Sequence, residues 1–141
     1  MAQAFLLGRV IIGCFYLFNA YHHFADVAQL AHAAARHGVP MPEAAIIVSG
    51  VLLAIAGVTL LLGVFPDVGV AALVLFLIPV SVTMHAFWAD TNPAARQADL
   101  IHFTKNLALL GSSLMFLAVP RPWPYSVERR ARFPRRLHVP V

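Results

Sequence analysis

The sequence predicts an all-α fold: a bundle of four transmembrane helices, with a short interfacial helix after the first span and a basic, proline-rich C-terminal tail. Three observations predict it. Of 141 residues, 60% are hydrophobic and 11% are charged, whereas a soluble domain carries about a quarter charged residues. That leaves too little polar surface to cover a globule in water, and the mean hydropathy of +0.78 agrees. Four apolar runs reach the length of about 20 residues that a bilayer core demands of a helix. The length allows one small bundle, a single domain over 1–119 followed by a tail over 120–141.

The first span is expected over 4–24, interrupted by Arg9. It lacks a preceding basic residue and a small-residue cleavage motif, so it does not read as a signal peptide. The connection "ADVAQLAHAAARHGVPMPE" follows. Asp26 with Gln29 three residues on fits a capping box, the alanine-rich stretch to His37 fits a short interfacial helix, and Gly38 suits its stop. Pro42 is placed for the first turn of the second span, expected over 44–64. "FPDVG" is a tight turn into a third span over 68–89. "ADTNPAARQAD" reads as a polar loop before the fourth span over 100–119. The tail, with Pro122, Pro124, Pro134 and Pro140, is expected to be extended and weakly ordered.

Six of the ten Lys and Arg residues lie in that tail. A basic segment next to a membrane helix orients the chain and meets anionic lipid, so nucleic acid is not an expected partner. The expected location is the cytoplasmic (inner) membrane with both termini cytoplasmic. Trp88 and Trp123 then fall at opposite interfaces as aromatic anchors. Gly50, Ala54 and Gly57 form a small-residue stripe, expected to pack inside the bundle ahead of serving a homo-oligomer. Cys14 is the one cysteine. It excludes an internal disulfide and self-contained dithiol chemistry, and it reads as a small buried hydrophobe.

The candidate site comes from ionisable groups inside spans, where each demands a partner or a task. Arg9, Gly13, Tyr16, Ala20 and His23 recur at helical spacing on one face of the first span, while His22 points about 100° away. Asp99, His102 and Asn106 share a face of the fourth span, with Lys105 beside it. Lys105 calls for Asp99, Asp90 or a bound anionic or carbonyl group. His85 ends the third span one turn after Ser81. The topology puts His23, His85, His102, Lys105, Asn106 and Asp99 near one end, as a polar pocket that either orders the bundle or receives the head of a lipophilic ligand. Arg9 lies near the opposite end, about 21 Å from His23 along the helix. No tight metal-ligand spacing is present, so no metal site is expected.

"LLGRVIIGCFYLFNAYHHF", "LLLGVFPDVG", "MHAFW" and above all "FTKNLALLGSSLMF" resemble the DoxX family of small four-helix membrane proteins. The resemblance covers the chain from Leu6 to Phe116 and leaves out the tail. It implies a link to respiratory and redox machinery, including a quinone-reducing thiosulfate oxidoreductase with a DoxX-like subunit. Arg9, His85, Lys105 and Asn106 fall where the family places polar residues, and His23 where members often carry a basic one. The acid that relatives often have in the second helix is missing from "SGVLLAIAGVTLLLG", so no role built on it carries over. The expected function is an accessory or anchoring subunit of a membrane oxidoreductase, more a non-catalytic subunit than a self-contained enzyme. It has no intrinsic cofactor, and its partners are membrane lipids and a redox subunit. The alternatives are a quinone-interacting redox component and a carrier of a small lipophilic molecule.

Overall fold

A computed structural model describes residues 1–128. Among the described residues five α-helices follow one another: α1 (Ala2–Ala25), α2 (Val27–Arg36), α3 (Pro42–Leu62), α4 (Pro66–Met84) and α5 (Pro93–Met115), the last running into a 3-10 turn at Phe116–Ala118. Four segments are long and apolar enough to cross a membrane: α1, α3, α4, and α5 with its 3-10 turn. Their outward faces carry large apolar side chains such as Leu7, Phe18, Val58, Leu75 and Leu107. In water such a surface would be strongly unfavourable; in lipid it is the expected boundary.

Glycine and proline set the helix ends. Pro42 and Pro66 each stand in the first turn of their helices, where a missing N–H costs nothing. Gly63 closes α3 with φ of 68°, its N–H donating to the Thr59 carbonyl. Gly38 has φ of 73° after α2, as a helix stop requires. The Asp26 carboxylate does not cap α2; it lies 3.0 Å from His22 Nδ1 instead. The expected capping box is therefore absent, because the histidine one turn back competes for the same oxygens.

The expected boundaries of the last two spans shift. α4 ends at Met84 rather than continuing to 89, with His85 as its C-cap. Residues read as polar loop form the first turns of α5. Asn92 Oδ1 accepts from the N–H groups of Ala94 and Ala95, and Pro93 takes the first helical position. Asn followed by Pro is a strong helix start, and it prevailed over the polarity of the segment.

α1 packs on α3, α3 on α4, and α4 on α5, whereas α1 and α5 are not packed along their lengths. The α1–α3 contact is close because glycines face each other. A Cβ on Gly13 would stand 3.1 Å from the Gly57 carbonyl oxygen, and one on Gly57 would stand 3.0 Å from the Gly13 carbonyl oxygen. The stripe seen in the sequence is thus used within the bundle. Arg9, Gly13, Tyr16 and Ala20 form the buried face of α1. Cys14 lies off that face and is exposed, so it is not the buried hydrophobe expected of it.

The start of the tail is packed rather than loose. Trp123 has no exposed surface. Its ring meets Phe5 edge-on at 5.1 Å and Phe116 at 5.4 Å, and its Nε1 donates to the Val119 carbonyl at 3.3 Å. Arg121 pairs with Asp67 at the start of α4. Trp123 is therefore a bundle plug and not an aromatic anchor at the interface, because the Phe5 and Phe116 rings offer it a matching socket. The remaining arginines of the tail, with Pro134 and Pro140, lie outside the described residues.

Candidate functional site

Arg9 occupies the end of the bundle closed by Trp123. It is 2% exposed. Its Nη2 donates to the Tyr125 carbonyl at 3.3 Å, and its guanidinium carbon lies 5.9 Å from the centre of the Trp123 ring. The guanidinium rests against Gly63, where any side chain would collide with it. Gly63 is the C-cap of α3, so the cation meets the partial negative charge of that helix end. Arg9 is enclosed there and does not reach out toward headgroups.

Toward the other end α1 and α5 stand apart and leave a cavity of about 540 Å³ between them. Phe15, Tyr16, Asn19 and His23 line it from α1, and Ser49 and Leu53 from α3. Phe76, Pro79 and Thr83 contribute from α4, followed by His85, and Lys105, Asn106 and Leu109 contribute from α5. Leu30, Ala33 and Ala34 of α2 cover one side. Its floor is tied by Tyr16 Oη, 3.4 Å from Ser113 Oγ. Ser113 already donates to the Leu109 carbonyl, so the tyrosine is the donor.

Four of the six candidate residues, His23, His85, Lys105 and Asn106, line this cavity. Asp99 and His102 stand behind them. His85 Nδ1 lies 3.1 Å from Asp99 Oδ1, and the His85 and His102 rings stack at 4.8 Å. His102 is itself exposed and outside the lining. His22 is apart from the cluster, exposed and joined to Asp26. Asp90, which the sequence offered only as a partner for Lys105, instead lies within hydrogen-bonding reach of Asp99. Burial and the neighbouring Asp99 push the Asp90 carboxyl above its ordinary range.

The hydrogen bonds already made fix what remains on offer. His23 Nδ1 donates to the Asn19 carbonyl at 2.9 Å, and His85 Nδ1 donates to Asp99. In each neutral ring Nε2 is then an acceptor. Lys105 Nζ donates to His102 Nδ1 at 3.0 Å, and among the described residues no carboxylate lies within 4.0 Å of it. Neither Asp90 nor Asp99 is the partner expected for it. Asn106 is 8% exposed, and its amide makes no hydrogen bond among the described residues. Lys105 is an exposed residue and the Asn106 amide opens onto the cavity, so both keep donors for an occupant. Among the described residues no three His, Cys, Asp or Glu side chains group as metal ligands.

The DoxX family model matches residues 4–86, from α1 to the His85 turn. The chain belongs to the DoxX family. Comparison with curated proteins and with solved structures found no match. The match covers the α1 and α4 walls of the DoxX cavity, including His23 and His85, while Lys105 and Asn106 lie beyond it. Tyr16, Asn19 and Ser49 are lining residues that the sequence did not single out as site members. Tyr16 stood on the right face of α1, but α1 phase alone could not say that α5 would stand away from it.

Proposed function

We propose that this DoxX protein is the membrane-embedded, ligand-holding subunit of a redox assembly, and that it takes the polar head of a lipophilic carbonyl compound such as a quinone into its cavity. One observation carries the reading. Lys105, which has one histidine acceptor and no carboxylate within 4.0 Å, and Asn106, whose amide has no protein partner among the described residues, present donors to the wall of an otherwise apolar cavity. A carbonyl oxygen accepts from both, and an isoprenoid or alkyl tail suits the apolar walls. The volume falls within the range of about 300–1,000 Å³ usual for small-molecule sites. The chain has no cofactor motif of its own, so electrons come from and go to a partner subunit. In this reading the six-arginine tail keeps both termini on the cytoplasmic side of the inner membrane. α2 lies at the opposite interface, and the cavity belongs to the outward half of the bundle.

The test is gentle purification into lipid nanodiscs, with mass spectrometry of the extracted lipids, quinones and co-purified polypeptides. A stoichiometric quinone is expected in the wild type, reduced about tenfold or more in Lys105→Met and Asn106→Leu at unchanged protein level, which corresponds to a loss of about 1.4 kcal/mol. Equal quinone content in wild type and variants would overturn the reading.

A further inference from the structure

His85 lines the cavity and is also the start of a path out of it. Its Nδ1 bonds Asp99 Oδ1, and the Asp99 carboxyl is within hydrogen-bonding reach of Asp90. Asp90 lies in the turn between α4 and α5, flanked by the exposed Ala89 and Thr91. Its Oδ2 is buried with no donor facing it among the described residues. Two neighbouring carboxylates repel when both are ionised, and a proton held between them turns that repulsion into an O–H···O hydrogen bond. The raised affinity of Asp90 for a proton agrees with that arrangement. The other titratable groups acting on this pair are His37 at the end of α2, His85 after α4, and, next to His85 on α5, His102 and Lys105. All are bases: none adds a further acid to the pair, and His37 works against its protonation.

We propose that His85, Asp99 and Asp90 form a proton-transfer chain through which a ligand in the cavity exchanges the proton of an acidic hydroxyl with water outside the bundle. This rests on the reading that the cavity holds a lipophilic molecule, and it narrows the ligand to one with an ionisable oxygen: a phenol, a hydroquinone or an enol. In the outward direction, the ligand O–H bond breaks and an N–H bond forms at His85 Nε2. The proton on His85 Nδ1 moves to Asp99, the proton between Asp99 and Asp90 shifts onto Asp90, and Asp90 releases one to water. His85 regains its Nδ1–H tautomer by exchange with water, one proton leaving Nε2 and one arriving at Nδ1, and the two acids are left holding one shared proton. One proton leaves in all, and the oxygen left anionic faces the Lys105 ammonium. No electron moves in this step.

A decyl-substituted nitrophenol, yellow only as its phenolate, and its methyl ether are suitable probes. Both fit an apolar cavity with a polar head, and only the phenol has a proton to give. With wild-type protein in excess in detergent, a stopped-flow jump to higher pH is followed by the phenolate absorbance. Asp90→Asn and Asp99→Asn are expected to slow the colour change about tenfold or more while binding of the methyl ether is unchanged. Asp90→Glu, which keeps the carboxyl, is expected to restore the rate. An unchanged rate in both asparagine variants, or no restoration by glutamate, overturns the chain while leaving the ligand-holding reading in place. If neither probe binds the wild type, the ligand-holding reading falls and the proton chain falls with it.

Discussion

His85 Nδ1 and Asp99 Oδ1 are 3.1 Å apart across the turn that joins α4 to α5. The carboxylate holds the ring in its Nδ1–H form, which leaves Nε2 to act on whatever occupies the cavity. Nitrogen-15 NMR of histidine-labelled protein is expected to show His85 in this tautomer. In Asp99→Asn the signal is expected to move to a mixture of tautomers, while His22, paired elsewhere with Asp26, keeps its shifts.

Stability is expected to depend on pH through Asp90. Burial and Asp99 raise its carboxyl above 3.8 in the folded protein. An acid with a raised folded value adds stability that is complete below the unfolded value and is lost as pH rises through the folded one. The thermal midpoint in detergent should therefore fall as pH rises from about 4, the ordinary carboxylate value, through the raised folded one. Asp90→Asn, which mimics the protonated acid, should flatten that slope.

The α1–α3 seam tolerates no side chain at its glycines. Gly13→Val places carbon against Leu61 and the Gly57 carbonyl, with a Cβ only 2.9 Å from that of Leu61. Overpacking of this kind costs about 1–3 kcal/mol. Gly13→Val should lower the yield of monodisperse protein by size-exclusion chromatography, whereas Gly111→Val, with nothing within 4 Å, should leave it unchanged.

Trp123→Ala empties the socket between Phe5 and Phe116 and uncovers Arg9. The loss is expected to reach about 3 kcal/mol, read as a lower thermal midpoint and as faster proteolysis after α5. Tyr125→Ala, an exposed side chain that contributes only its carbonyl to Arg9, should be close to neutral.

Topology is tested by cysteine labelling in a Cys14→Ser background, since the native thiol is exposed. In sealed cells an impermeant reagent is expected to modify Thr91→Cys and to leave Val127→Cys untouched. The reverse pattern would invert the orientation drawn from the basic tail.

The sequence by itself determined what is local. Apolar run length set the number of spans, and the spacing from Arg9 to Ala20 set the buried face of α1. Pro42 and Gly38 marked two helix ends. These follow from the rise and period of one helix, which any stretch of chain carries within itself. Tertiary structure decided where separate helices stand. The start of α5 at Pro93 was also local, written in Asn92–Pro93, but only the tertiary structure placed Asp99 on that helix opposite His85. It seated Trp123 inside the bundle, and it held α5 away from α1 so that His23, His85, Lys105 and Asn106 face one cavity. Helix phase fixes the direction of a side chain only relative to its own axis. The partner it meets depends on the crossing and separation of two axes, set by the packing of all four spans at once.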